Sequence, residues 1–166
     1  MAVKLACLEC GQGNRVPDEK LGAGPKCGTC GAALMPSKPV EITFDILEMA
    51  RRLDEVPLVV DFWAGWCGPC RVMAPEFAKA AGKMAGKARF AKLDTEAFPQ
   101  SGSKFGIRGI PLLIRFKDGR EVARGLISYD AAALERLKGH NTARIPELLG
   151  YSNGDEVIHR DDLILS

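Results

Sequence analysis

Six cysteines occur in the sequence as three Cys-x-x-Cys pairs: Cys7–Cys10, Cys27–Cys30 and Cys67–Cys70. Two cysteines at this spacing can supply half of a metal site or form a complete redox dithiol. The two chemistries need different surroundings, because a four-thiolate metal site needs a second pair and a dithiol does not. The distances between the pairs along the chain therefore indicate which chemistry each pair performs.

The first two pairs have the spacing of a zinc site. Cys7–Cys10 and Cys27–Cys30 form the pattern C-x2-C-x16-C-x2-C, which lies in the range typical of zinc modules. Four thiolates complete a tetrahedral shell and leave no open position, so we predict one structural zinc ion. Gly11 and Gly31 follow the two pairs and tolerate a positive φ that turns backbone amides towards the sulfurs. The alternative is that these pairs are further redox dithiols in a flexible segment.

The third pair lies in the stretch WCGPC, where no second pair remains to complete a metal site. Neither His140 nor His159 stands at metal-ligand spacing from it, and we expect both to be surface side chains. Cys67 is expected near a helix N-terminus, which favours the reactive thiolate. Cys70 lies one turn further in and is expected to be more buried. We therefore predict that Cys67 attacks a disulfide and that Cys70 resolves the mixed disulfide.

The elements that position this dithiol follow from hydrophobic periodicity and turn signals. Strands are predicted in PVEIT, LVVDFWA and ARFAKLDT, and a hairpin is predicted about Asp118-Gly119. Helices are predicted in TFDILEMARRL, in CRVMAPEFAKAAGKMAG with an internal Pro75, in AFPQSGSKFG and in SYDAAALERLKGH. In the first helix, the apolar face is predicted to contain Ile46, Met49, Ala50 and Leu53. The order β α β α β α β β α predicts an α/β fold with a central mixed sheet and helices on both faces.

The chain divides into three predicted units. Residues 1–35 are poor in apolar periodicity and are not expected to build a core alone, so we predict a zinc-binding module there. After the proline-containing stretch MPSKP, residues 36–140 form the main domain, which is expected to keep its activity without residues 1–35. Residues 141–166 are an extension of unknown role, part of which is expected to pack on the rest of the protein.

Composition excludes several classes of protein. The hydrophobic and charged fractions, 46% and 27%, are those of a globular protein, and no apolar run approaches a membrane span. A net charge of +2 gives no segment the basic excess that nucleic-acid binding requires. The start, MAVKLACLEC, lacks the apolar stretch of a secretory signal, so we expect a cytoplasmic location.

The stretches VVDFWAGWCGPC, FAKLDT and FGIRGIP, together with Pro75, resemble the thioredoxin family across residues 40–140. With the preceding cysteine pairs, the chain resembles the bacterial thioredoxin 2 type, which carries an N-terminal zinc module. The resemblance implies a thioredoxin fold preceded by a zinc-ribbon-like unit. It also implies a monomeric protein-disulfide reductase that acts on client proteins. NADPH would supply electrons indirectly through thioredoxin reductase, without an organic cofactor bound to the chain.

Asp61 interrupts an otherwise apolar strand, where burial should raise the pKa of its carboxyl group. The resemblance implies that Asp61 accepts the proton of Cys70 during resolution, with Lys92 on the neighbouring strand as its partner. The alternative is a purely structural ion pair.

The resemblance also implies a substrate surface around a cis-proline, where the backbone of Ile110 could pair with an extended substrate strand. We assign Trp63 mainly to core packing, and Leu112 departs from the threonine often found after that proline. The residues predicted to form the substrate surface are Trp66, Gly68, Pro69, Ile110, Pro111 and Gly125.

Two other functions agree with the same pattern. One is a redox-regulated, zinc-dependent client-binding module of chaperone type, which would dock clients without turnover. The other is a disulfide-forming oxidase, which the Gly68-Pro69 sequence between the cysteines disfavours because it resembles the reducing thioredoxins.

Overall fold

The computed structural model describes residues 1–126 of the 166. The predicted closing helix, the extension 141–166 and both histidines lie outside the described residues. The described strands are β1 (Ala2–Ala6), β2 (Gly13–Pro17), β3 (Val40–Glu41), β4 (Leu58–Trp63), β5 (Arg89–Asp94), β6 (Leu112–Lys117) and β7 (Arg120–Leu126). The described helices are α1 (Phe44–Leu53), α2 (Gly68–Lys83) and α3 (Gln100–Phe105), with a short 3₁₀ turn at Asp18–Lys20.

A five-stranded mixed sheet forms the centre of the fold, with the strand order β3-β5-β4-β6-β7. Strand β5 runs parallel to β3 and to β4, whereas β6 runs antiparallel to β4 and to β7. Every residue of β4 from Leu58 to Phe62 is buried, as its nearly continuous apolar sequence predicts. The predicted mixed sheet is confirmed.

Helices cover both faces of this sheet. Val59 and Phe90 pack with Phe77 of α2 on one face. Alternate residues of the same strands, such as Val60, pack with Leu47 of α1 and with Phe105 of α3 on the other. The face of α1 differs from the prediction, because Leu47 and Ala50 are buried while Met49 is 49% exposed.

The hairpin between β6 and β7 turns at the predicted pair of residues. Asp118 and Gly119 have φ values of 52° and 80°. Positive φ at both central residues is the geometry of a type I′ turn, which matches the twist of the flanking strands.

Residues 1–35 contain more of a core than the sequence predicts. Strands β1 and β2 form an antiparallel sheet, and Val56 of the main domain contributes to the apolar cluster behind it. The buried members of that cluster are Leu5, Cys7, Val16, Cys27, Leu34, Met35 and Val56. Ala6 and Leu8 belong instead to the core beneath α1. The N-terminal segment is therefore packed directly against the central sheet and α1.

No helix within residues 1–126 has both the length and the apolar character of a membrane span.

Candidate redox site and metal centre

The dithiol lies where β4 ends and α2 begins. Cys67 is the N-cap residue of α2, a helix of 16 residues, and its Sγ lies 3.2 Å from the backbone nitrogen of Cys70. The two cysteines form a disulfide with their Cα atoms 5.3 Å apart. In the reduced state, the N-terminal amides and the helix dipole would stabilise a thiolate on Cys67.

Burial does not separate the two cysteines in this oxidised state. Cys67 and Cys70 are both 3% exposed, so the expectation that Cys70 is the more buried one was wrong. The asymmetry of the pair lies in helix position, since Cys67 caps the helix and Cys70 lies within its first turn.

Asp61 is completely buried in the strand that leads to the dithiol. Neither carboxylate oxygen has a hydrogen-bond partner among the described residues. Burial raises the pKa of Asp61 to about 7; the positive charge of Lys92 opposes this rise, and the negative charge of Glu41 adds to it. A carboxyl group with a pKa near neutrality can accept or release a proton under physiological conditions.

Lys92 is the register partner of Asp61 on β4 and also the register partner of Glu41 on β3. Its ammonium lies 3.9 Å from Glu41 Oε1 and 4.7 Å from the centre of the Trp63 indole ring. In the described part of the chain, no direct ion pair joins Lys92 to Asp61. Trp63 is thus part of an ionic cluster as well as of the packing.

The segment before β6 approaches the dithiol from the other side. The peptide bond between Ile110 and Pro111 is cis, and the Ile110 carbonyl oxygen lies 3.8 Å from Cys67 Sγ. Ile110 is partly exposed, whereas Pro111 is buried. The predicted neighbourhood of Cys67 and Ile110 is therefore present in the structure.

The other residues predicted for the substrate surface differ in accessibility. Trp66 is 70% exposed beside the dithiol, Gly68 is exposed and Pro69 is partly exposed. Gly125 is buried and pairs with Leu113 of β6. A partner that approaches the disulfide can therefore reach Trp66 and Gly68 but not the side of Gly125.

The four N-terminal cysteines converge, with all four sulfur atoms within 4.8 Å of one another. The Sγ atoms of Cys7 and Cys30 are 3.5 Å apart, and those of Cys10 and Cys27 are 3.7 Å apart. Four thiolates about 2.3 Å from a zinc ion at tetrahedral angles would be about 3.8 Å apart. The cluster therefore fits this ion.

The two N-terminal pairs have matching backbone geometry. Gly11 and Gly31 have φ values of 79° and 77°, as predicted. The amides of Glu9 and Thr29 each lie 3.4 Å from a sulfur, that of Cys7 or Cys27. Such amides stabilise the thiolate form that a metal requires.

Asn14 is a second contact to the cluster that the cysteine spacing gives no signal for. Its Nδ2 lies 3.5 Å from the Sγ of Cys27, and its Oδ1 accepts from the amide of Gly28. Backbone hydrogen bonds from Cys30 and Thr29, with a smaller contribution from Asn14, lower the pKa of Cys27 to about 6. Asn14 thus helps to hold the second pair in place.

The model of the thioredoxin family matches residues 48–138. A relative named thioredoxin C-3, from Corynebacterium nephridii, is 43% identical over 120 residues, covering 72% of this chain and 82% of that protein. The chain belongs to the thioredoxin family. A thioredoxin from Alicyclobacillus acidocaldarius is 52% identical over 73 residues, covering 44% of this chain and 69% of that protein.

A second family model, described as the N-terminal part of thioredoxin 2, matches residues 6–32, which contain all four clustered cysteines. Among solved structures, a mutant thioredoxin from Halobacterium salinarum is similar with a TM-score of 0.52 and 29% identity. The match covers 64% of this chain and 92% of that structure. The chain is thus a thioredoxin-type oxidoreductase that reduces protein disulfides, with a zinc-ribbon-type N-terminal segment.

Proposed function

We propose that Cys67 is the attacking thiolate and Cys70 the resolving thiol in the reduction of client protein disulfides. The observation that carries this assignment is the position of Cys67 as N-cap of α2, with the amide of Cys70 directed at its sulfur. A thiolate is the species that attacks, and a helix N-terminus favours it.

The exchange proceeds in two balanced steps. The Cys67 thiolate attacks one sulfur of the client disulfide, forms a mixed disulfide and expels the other client sulfur as a thiolate. Cys70 then attacks Cys67, the intramolecular disulfide forms, and the second client sulfur leaves. Two electrons pass to the client, which takes up two protons. Thioredoxin reductase, using NADPH, would return two electrons to the dithiol.

Asp61 is proposed as the group that accepts the proton of Cys70. Its burial, its unpartnered oxygens and a pKa of about 7 support this role. Lys92 modulates the charge on Asp61 from the adjacent strand. An extended client segment is proposed to contact the backbone of Ile110 beside Pro111, with Trp66, Gly68 and Pro69 at the accessible rim.

Reduction of insulin disulfides in the presence of thioredoxin reductase and NADPH tests this function. We expect Cys67→Ser to abolish turnover, and Cys70→Ser to retain attack and accumulate mixed disulfides with clients. Trapping by the Cys67 variant would reverse the two roles. A client-binding module would bind reduced clients but show no catalytic consumption of NADPH.

We also propose that Cys7, Cys10, Cys27 and Cys30 bind one structural zinc ion per chain. The convergence of the sulfurs and the amides directed at two of them support this site. The zinc module would comprise residues 1–35, the thioredoxin domain residues 36–140, and residues 141–166 an extension of unknown role. Four free thiols and a reductive activity suit a reducing compartment such as the cytoplasm, and we infer a monomer.

Metal analysis of variants tests the zinc site. We expect one zinc ion per chain to remain when Cys67 and Cys70 are both replaced by Ser. Replacement of Cys10 or Cys27 by Ser should release it, because a three-thiolate site loses a ligand. Loss of zinc from the Cys67 and Cys70 variant would contradict the division of the cysteines.

A further inference from the structure

Three charged residues form a row across neighbouring strands of the central sheet. Glu41 on β3, Lys92 on β5 and Asp61 on β4 are in register, so their side chains project from the same face. This is the face that α2 covers, because Val59 and Phe90, each two residues before a member of the row, pack against that helix. We call these three residues the charged row.

The charged row passes from solvent to the interior. Glu41 lies on the edge strand β3, and its side chain is 53% exposed. The side chain of Lys92 is 23% exposed, and Asp61 is completely buried. One ammonium group therefore lies between an accessible carboxylate and an inaccessible one.

The ammonium of Lys92 is held at the accessible end of the charged row. It lies 3.9 Å from Glu41 Oε1 and 4.7 Å from the centre of the Trp63 ring. The indole nitrogen of Trp63 donates to Glu41 Oε2 over 3.4 Å, which closes a triangle of three contacts. A cation over an indole face is stabilised by the ring, and Glu41 keeps both partners in this arrangement.

We propose that Glu41 is a positioning residue that holds Lys92 against Trp63 and so leaves the buried Asp61 without a direct ion-pair partner. This inference rests on the proposed role of Asp61 as proton acceptor. If Lys92 turned inward, the carboxylate of Asp61 would be stabilised, and it would lose its capacity to take up a proton near neutral pH. The charged groups that act on Asp61 are Lys92 from β5 and Glu41 from β3. The β6 residue in register with it is the apolar Leu113, and the cysteines of α2 do not titrate while they form a disulfide.

The substitution Glu41→Gln tests the proposal, because glutamine keeps the side-chain length and an acceptor for the Trp63 indole but removes the charge. Glu96→Gln is the matched control, since Glu96 is exposed and is not among the charges that shift Asp61. The titration midpoint of the Asp61 carboxyl carbon is measured by ¹³C NMR in the oxidised full-length protein. We expect Glu41→Gln to lower this midpoint by about half a pH unit or more, and Glu96→Gln to leave it unchanged.

Repeating Glu41→Gln in a Lys92→Met background separates positioning from the direct effect of the glutamate charge. If Glu41 acts by holding Lys92, the substitution should shift the Asp61 midpoint much less once the lysine is absent. An equal shift in the two backgrounds would overturn the proposal, because Glu41 would then act on Asp61 only through its own charge.

An unchanged or raised midpoint in Glu41→Gln would also overturn the proposal, since the glutamate would then serve only as a hydrogen-bond acceptor. The pH dependence of mixed-disulfide resolution is measured in the same proteins. If the Asp61 midpoint falls through Lys92 while the resolution profile stays fixed, Glu41 does position Lys92, and it is the proton-acceptor role of Asp61 that fails. If both move together, both inferences are supported.

Discussion

Two buried aspartates show how the regions around them differ. Asp54 caps the C-terminus of α1 beside the N-terminal segment, is 2% exposed, and has a partner for each carboxylate oxygen. One oxygen forms an ion pair with the buried Arg89, and the other accepts from the amide of Ala6 over 2.9 Å. Asp61, behind the dithiol, is equally inaccessible and has no such partner among the described residues.

The difference separates a structural charge from a chemical one. Arg89 also donates to the carbonyl oxygens of Ala6 and Leu34, at 2.8 and 3.2 Å, so the Asp54–Arg89 pair fastens both ends of the N-terminal segment to the central sheet. A buried carboxylate without a partner costs free energy of folding, and such a cost is typical of sites that need a perturbed pKa. Asp54 holds the molecule together, whereas Asp61 supplies a titratable group.

Deletion of residues 1–35 should produce the largest effect. It removes Ala6 and Leu8 from the core beneath α1 and leaves Asp54 and Arg89 without their backbone partners. We expect a loss of at least about 5 kcal/mol in the free energy of unfolding, from a lost core leucine and an exposed ionic pair. This outcome differs from the retained activity that the sequence predicts for residues 36–140 alone.

Urea unfolding of the full chain and of the truncated chain measures this loss. The full chain treated with a zinc chelator is the control, since it separates loss of the metal from loss of the packing. A truncated chain as stable as the full chain would show that the contacts of Asp54 are incidental and that the N-terminal segment is an independent module.

The sequence predicts features that depend on neighbouring residues. The turn at Asp118-Gly119, the strand in LVVDFWA and the glycines after the first two cysteine pairs each have a local cause, and the structure contains all three. The Asp54–Arg89 pair has none, because the two residues are distant in the sequence and each has the pattern of a surface charge. The same holds for Glu41, whose importance depends on a register that only the folded sheet creates.

The substitution Arg89→Met should have the next largest effect. It leaves the carboxylate of Asp54 buried with only the amide of Ala6, and breaking a buried ion pair from one side costs about 3 to 5 kcal/mol. Adding Asp54→Asn should recover part of this loss, because the amide is uncharged. Urea unfolding at neutral pH provides the measurement.

Arg52→Met is the matched control for that experiment. Arg52 pairs with Glu48 on the surface of α1, and its side chain is 65% exposed, so its loss should cost less than about 1 kcal/mol. Equal effects of the two arginine substitutions would show that the buried pair contributes no more than a surface pair.

The substitution Asp61→Asn should have the opposite sign, and its effect should depend on pH. Burial raises the pKa of Asp61 from 3.8 to about 7, so between these values the folded protein binds a proton that the unfolded chain has released. The parent protein therefore loses stability as the pH rises through this window, and the asparagine variant does not. From the size of the shift, we expect the variant to be more stable by about 2 kcal/mol at pH 5 and by up to about 4 kcal/mol at pH 8.

Urea unfolding of both oxidised proteins at several pH values measures this difference, in which titrations that the two proteins share cancel. Asp54→Asn is the comparison, because it weakens contacts that Asp54 makes with Arg89 and Ala6 and should destabilise the protein at pH 8. A constant difference between Asp61→Asn and its parent would mean that Asp61 stays ionised across the range. The two aspartates would then differ only in their contacts, and the proton acceptor for Cys70 would have to be another group.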